Sequence, residues 1–369
     1  MSTQSFQENI ARRFPPEYRK EIIPRIMEVI TKGESCFIVG TSGIGKSNLF
    51  RFLTSSEIRQ KYLGQHQHNY AFVWADTNAL AGELSAFHLY ELMLYNLQKW
   101  VEENVSESVS PAFLHELHEK VILSENRVLA QRHLETALRY LFNHISDLHV
   151  VLLLDEFEPI AKTLDFQFFK SLRWFRDEFK YHLSYVMAAH RSPIAIREDL
   201  FDQGEPFFEL VASNILVLAL YNPDDTEFMI SELSNRYGVD LSKSKKQIIF
   251  RLSGGHSGLI AAIFKVLFKH SLPHDQDWQI EQLLANEAVA GECRKIWNSL
   301  EGPEQDTVIQ IVNSHFVPAE PLPLDSLIAK GLFQKGTSQR VSVFSPLFQK
   351  FLVMLIEPEP LEGGPVTNN

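Results

Sequence analysis

Apolar positions along the chain change their period several times, and each change marks an element. Residues 15–31, PPEYRKEIIPRIMEVIT, open with prolines suited to a first helical turn, and Ile22, Ile23, Ile26, Met27 and Ile30 then recur at helical spacing. The short apolar run SCFIVG predicts a strand, a glycine turn follows, and KSNLFRFLTSSEIRQKYL predicts a helix. NYAFVWADTN predicts a second strand through Ala71, Phe72, Val73 and Trp74, with long helical stretches from about Glu83 to Asn104 and from about Val128 to Ile145. In HVVLLLDEFEPI a continuous apolar run, Val150 to Leu154, is bounded by polar residues, the pattern of a strand covered on both faces. FQFFKSLRWFRDEF predicts a helix, and LSYVMAAHR and NILVLAL predict further strands. Strands alternating with helices predict an α/β domain with a doubly wound parallel sheet, ending near Leu220.

From Asn222 the strands give way to helical patterns: PDDTEFMISELSNRYG, SKSKKQIIFRLSGG, the strongly apolar HSGLIAAIFKVLFKHS, and DWQIEQLLANEAVAGECRKIWNSL. A helix in PEQDTVIQIVNSH, a proline-rich link, a helix in LDSLIAKGL, a hairpin around KGTSQ and a closing helix in PLFQKFLVMLI follow. Helix, helix, hairpin is the outline of a winged helix. The expected organisation is an α/β core with its N-terminal helix over 1–220, a small helical domain over 221–290, a winged-helix domain over 291–357, and a disordered proline- and glycine-rich tail over 358–369.

Composition narrows the setting. The 369 residues carry a net charge of −11, which argues against bulk electrostatic binding to nucleic acid and leaves room only for a local patch. Cys36 and Cys293 are the two cysteines, too few for a disulfide framework and consistent with a reducing compartment. No run of eighteen apolar residues occurs, and MSTQSFQENIARRF lacks a signal-peptide core, so a soluble, cytoplasmic protein with no membrane partner is expected. The 27 phenylalanines read as aromatic core packing.

The glycine turn carries the chemistry. Gly40, Thr41, Ser42, Gly43, Ile44, Gly45, Lys46 and Ser47, followed by Asn48, satisfy G-x-x-x-x-G-K-[ST] at every fixed position, with a strand before and a helix after. Glycines let the backbone wrap a phosphate with N–H groups pointing inward, and the helix N-terminus adds partial positive charge. Lys46 can reach β- and γ-phosphates, and the Ser47 hydroxyl can ligate Mg²⁺. The fold class is therefore a P-loop NTPase core, with ATP and Mg²⁺ as cofactors. Asp155 ends the buried strand and is the expected metal-shell partner of Ser47; Glu156 can polarise a water for attack on the γ-phosphate. Glu158 is expected to be a solvated acid. Arg191, at the end of LSYVMAAHR, suits γ-phosphate sensing because a guanidinium binds phosphate oxygens in a fixed fork, and a surface salt bridge is its alternative. His190 reads as an orienting or packing residue. Arg173 and Arg176 could serve as a finger on a neighbouring subunit, with a solvated helix face as the alternative.

GTSGIGKS, LLLDE and the terminal AAHR, followed by helices with LSGGHSGLI and a winged-helix outline, resemble the AAA+ and STAND branch of P-loop ATPases over about residues 15–356. The resemblance implies an extra strand between the two motifs, supplied by NYAFVWAD, and a strand-terminal sensing arginine at Arg191. The family's G-G-x-P beside the adenine corresponds to Gly254, Gly255 and His256, with Ser257 where proline would stand. VFSPLF holds no counterpart of the family's phosphate-contacting histidine, and no repeat array follows.

Two function classes emerge. One is a regulatory ATPase switch that changes conformation or forms a homo-oligomer on ATP and acts on a protein partner in signalling or defence. The other is a DNA-associated AAA+ ATPase of origin-recognition or transposition-regulator type, with the winged helix on duplex DNA. Residues 291–357 carry six Lys or Arg against seven Asp or Glu, and LDSLIAKGL contributes only Lys330. Helices that read DNA generally need more basic residues for phosphate contacts, which favours the switch.

Overall fold

Five parallel strands organise the first of two compact units: β1 (Cys36–Val39), β2 (Tyr70–Asp76), β3 (His149–Asp155), β4 (Leu183–Ala189) and β5 (Ile215–Val217), in the order β2-β3-β4-β1-β5. The computed structural model describes residues 14–80, 83–105, 109–197, 206–269, 275–314, 321–336 and 341–356. The N-terminal stretch through Arg13, the hairpin turn at 337–340 and the tail expected to be disordered lie outside them. Every residue of β3 and β4 is buried, as a parallel sheet covered on both faces requires. NYAFVWAD lies between the two motifs in the chain but forms the sheet edge as β2; the strand that separates β1 from β3 in space is β4.

The helices of this unit are α1 (Ile23–Thr31), α2 (Lys46–Leu53), α3 (Ser56–Leu63), α4 (Ala86–Asn104), α5 (Pro111–Ser124), α6 (Arg127–His144), α7 (Phe157–Thr163), α8 (Phe166–Glu178) and the short α9 (Pro193–Ile196) and α10 (Glu209–Ala212). The single helix expected after the glycine turn is two, because the Ser55 side chain accepts the Ile58 N–H and caps a new start. Helix α5 was not anticipated. Its buried stripe, Leu114, Leu117, His118 and Val121, includes a histidine, while Ile122 and Leu123 are exposed, so its amphipathic pattern is blurred.

The second unit takes Ser42–Ile44 together with the chain from Ala219 onward. It contains α11 (Pro223–Tyr237), α12 (Lys243–Ser253), α13 (Ser257–Leu267), α14 (Gln276–Leu284), α15 (Glu287–Asn298), α16 (Gly302–Ser314) and α17 (Pro321–Ala329), an antiparallel hairpin of β6 (Phe333–Lys335) and β7 (Val341–Val343), and α18 (Pro346–Ile356). Gly254 and Gly255 both have positive φ, and a Cβ on either would lie 2.4 Å from a backbone oxygen, of Phe344 and Tyr221 respectively. Only glycine permits that approach.

At the base of α16, Glu304 and Lys330 form a buried ion pair. Lys330 Nζ donates to both carboxylate oxygens, at 2.6 and 2.7 Å, and their side chains are 1% and 3% exposed. The Ser326 hydroxyl and the Glu301 N–H also donate to this carboxylate. Glu304→Ala should therefore cost roughly 3–5 kcal/mol, because it strands a buried ammonium. A denaturant series following the second unit should show this, and the double change Glu304→Leu with Lys330→Met should recover part of it. A loss below about 1 kcal/mol would mean the pair behaves as a solvated one.

Candidate active site

Parallel strands all end at the same sheet edge, and β1, β3 and β4 deliver their C-terminal residues there. The backbone turns out of β1 with the Gly40 N–H bonded to the Ala189 carbonyl of β4 (3.1 Å). It then needs left-handed backbone at Gly43 (φ 75°) and at Gly45 (φ 99°), which caps α2. Lys46 is 5% exposed, and its ammonium donates to the carbonyls of Gly40 (3.0 Å) and Thr41 (3.1 Å). Thr41 is buried, Ile44 is fully enclosed, and Asn48 faces Arg51 at 3.5 Å.

On β3, Asp155 is wholly buried. Burial raises its pKa, and a hydrogen bond from the Ser47 side chain acts against that rise. One carboxylate oxygen accepts the Glu156 N–H at 3.0 Å, while the other, Oδ2, is buried without a hydrogen-bond partner. An orphaned carboxylate oxygen beside a serine hydroxyl fits a hard divalent cation such as Mg²⁺, which takes few protein ligands and completes its shell with phosphate and water. Among the described residues no cluster of three or more His, Cys, Asp or Glu could hold a metal by itself.

Glu156 caps α7 with left-handed backbone (φ 49°), a conformation costing a non-glycine residue of order 1 kcal/mol. The next residue holds it there: the Phe157 ring lies 5.7 Å from Phe37 of β1 and 6.2 Å from Phe208. Burial raises the pKa of Glu156, partly offset by the Lys46 charge. Asp76 is a residue the sequence reading passed over. It stands opposite Asp155 in the β2–β3 register, and its charge also raises the pKa of Asp155 and Glu156. The signal was present, since AFVWAD ends an apolar run in an acid just as LLLD does.

Glu158 is not solvated: it is 9% exposed and binds Lys162 at 2.6 Å, with His190 and Arg191 each at 3.8 Å. Arg191 thus lies at the end of β4, one strand from both β1 and β3, within reach of a carboxylate. Burial, then the Lys46 charge, lowers the His190 pKa to about 4, so the ring is neutral at pH 7. The two helical arginines are engaged in cis. Arg173 donates to Asp177 (2.9 Å) and to the Pro206 carbonyl (2.8 Å), and the buried Arg176 donates to the Gly33 carbonyl (2.6 Å). Arg176 is therefore neither a solvated face residue nor placed as a finger.

No protein-family model matches the chain, and no curated protein matches it. Among solved structures it is similar to the Walker-type ATPase PABY2304 of Pyrococcus abyssi, at 14% identity and a TM-score of 0.52 over 92% of this chain and 98% of that one. Cdc6p of Pyrobaculum aerophilum is similar at 12% identity and a TM-score of 0.39, over 92% of this chain and 93% of that one. The Orc1 protein of Aeropyrum pernix in complex with DNA is similar at 10% and 0.41, over 91% and 92%. The fold is that of a P-loop NTPase. The likeness to PABY2304 carries the fold alone, and the chemistry rests on the residues.

Lys46→Ala should abolish ATP binding measured by calorimetry; an unchanged affinity would remove the phosphate role of the loop. His190 and His149, both held near 4 by burial, make the first unit sensitive to acid. Unfolding lets them take up protons near the ordinary 6.5, so stability is complete above that pH and falls as pH drops from 6.5 towards 4. Urea midpoints between pH 7 and 4.5 should show this fall, and His190→Gln should flatten it.

Proposed function

We propose that this chain is an ATP-binding and ATP-hydrolysing regulatory switch of AAA+/STAND type, whose nucleotide state controls conformation or homo-oligomerisation and acts on a protein partner. The observation that carries the reading is the convergence of Lys46, Ser47, Asp155 and Glu156 at one sheet edge, with Asp155 Oδ2 buried and without a hydrogen-bond partner there. In this reading the loop N–H groups and Lys46 hold the β- and γ-phosphates. Ser47 and Asp155 would hold Mg²⁺, which neutralises phosphate charge when bound. Glu156 takes a proton from the water whose oxygen attacks the γ-phosphorus as the bond to the β-phosphate oxygen breaks. Arg191 exchanges its Glu158 contact for the γ-phosphate and so reports which nucleotide is present. No neighbour-supplied arginine is identified, and slow turnover by the isolated chain is expected.

We read the second unit as a helical lid followed by a winged helix, made of α16, α17, the hairpin and α18. Its charges favour a protein partner over duplex DNA. Lys330, the basic residue beside α17, is locked in the buried pair with Glu304. Arg294, Lys295 and Lys335 are each paired with an acid, Glu287, Glu292 and Asp325. Among the described residues from 291 to 356, that leaves Lys350 outside an ion pair, so this region offers few cations to displace counterions from a phosphate backbone.

The test is a Glu156→Gln chain, which should bind ATP, hydrolyse none of it, and accumulate the ATP-dependent state. Light scattering with no nucleotide, ADP and ATP, each with and without duplex DNA, reads that state. Assembly on ATP alone supports the switch. Assembly only with DNA would replace it by a DNA-associated ATPase, and retained hydrolysis would assign the water to another residue.

A further inference from the structure

The apex of the glycine loop is held from outside by three donors of one short stretch. His256 Nε2 lies 3.0 Å from the Ser42 carbonyl oxygen. The Ser257 hydroxyl donates to the Gly43 carbonyl at 2.5 Å, and the Gly258 N–H donates to the same oxygen at 2.9 Å. The imidazole has a defined tautomer. Its Nδ1 accepts the Leu259 N–H (3.3 Å) as the cap of α13, so the proton is on Nε2 and that nitrogen donates to Ser42. The ring is fully buried, and its Cε1 together with a Glu292 oxygen fills the space where a Cβ on Gly43 would go.

We propose that His256 and Ser257 are positioning residues for the phosphate loop, a role that rests on the loop binding nucleotide phosphates. The reason is peptide geometry. In a planar trans peptide the carbonyl and the following N–H point in opposite directions. Holding the Ser42 carbonyl outward therefore turns the Gly43 N–H inward, and holding the Gly43 carbonyl turns the Ile44 N–H inward. Those two N–H groups are the ones a loop apex offers to a phosphate. Glycine alone would leave the apex free to rotate, and the clamp removes that freedom before ligand arrives. Ser257 occupies the first turn of α13, a position where proline would keep the helix but supply no hydroxyl.

The test compares ADP and ATP affinity by calorimetry in wild type, Lys46→Ala, Ser257→Ala, Ser257→Thr and His256→Asn. Asparagine at 256 keeps a good helix cap but is too short to replace Nε2. Ser257→Ala and His256→Asn should each weaken both nucleotides by about three- to tenfold, the worth of one hydrogen bond. Ser257→Thr, which keeps the hydroxyl, should bind as wild type, with far-ultraviolet circular dichroism unchanged throughout. Affinities within about twofold of wild type in both weakened variants would overturn the clamp while leaving the loop's phosphate role intact. Should His256→Asn fail to fold, the alanine and threonine pair at 257 decides alone. A wild-type chain that binds neither nucleotide would overturn the clamp and the phosphate role together.

Discussion

Parallel strand direction is the constraint on which the first unit depends. All five strands end at one edge, so whatever polar residue follows each apolar run arrives at the same place. Gly40 after β1, Asp76 in β2, Asp155 and Glu156 at β3, and His190 and Arg191 after β4 are brought together by that rule and by nothing local. The sheet can supply them only because both its faces are covered, which in turn requires β3 and β4 to be apolar throughout.

What gathers at the edge is a field of opposed, largely buried charges. Lys46, almost fully buried, faces Asp155 and Glu156, and its charge contributes to the lowered pKa of His190. The acids are held above their ordinary range by burial, and the ammonium limits the rise. Beside them Glu158 draws Lys162, His190 and Arg191 into one cluster at the same edge. The left-handed Glu156 is kept in place by the Phe157 ring against Phe37 and Phe208, so aromatic packing fixes the backbone at this edge.

The second unit shows the same economy of cations. Its deepest charge pair, Glu304 with Lys330, organises the start of α16 and the end of α17 through four donated hydrogen bonds. A lysine used in that way is lost to any phosphate backbone.

Spacing alone disclosed the glycine loop, the strand that ends in Asp155 with Glu156 after it, and the alternation that makes a parallel sheet, because each is a local pattern imposed by backbone geometry and burial. Helix α5 was hidden by its exposed Ile122 and Leu123 and its buried His118. Glu158 looked solvated and Arg176 looked like a helix-face residue, because burial depends on what packs against a position and no periodicity records that. Asp76 carried a readable signal whose meaning came only from the β2–β3 register. Ser257 could be read only as a departure from a motif; its hydroxyl meets the Gly43 carbonyl across 214 positions of chain. The phosphate-loop spacing and the strand ends are legible along the chain because those needs are met by neighbours a few positions apart. Which charges are spent on one another, and which donors meet the loop apex, emerges in the folded chain, since those pairings are made across the fold by burial and distance.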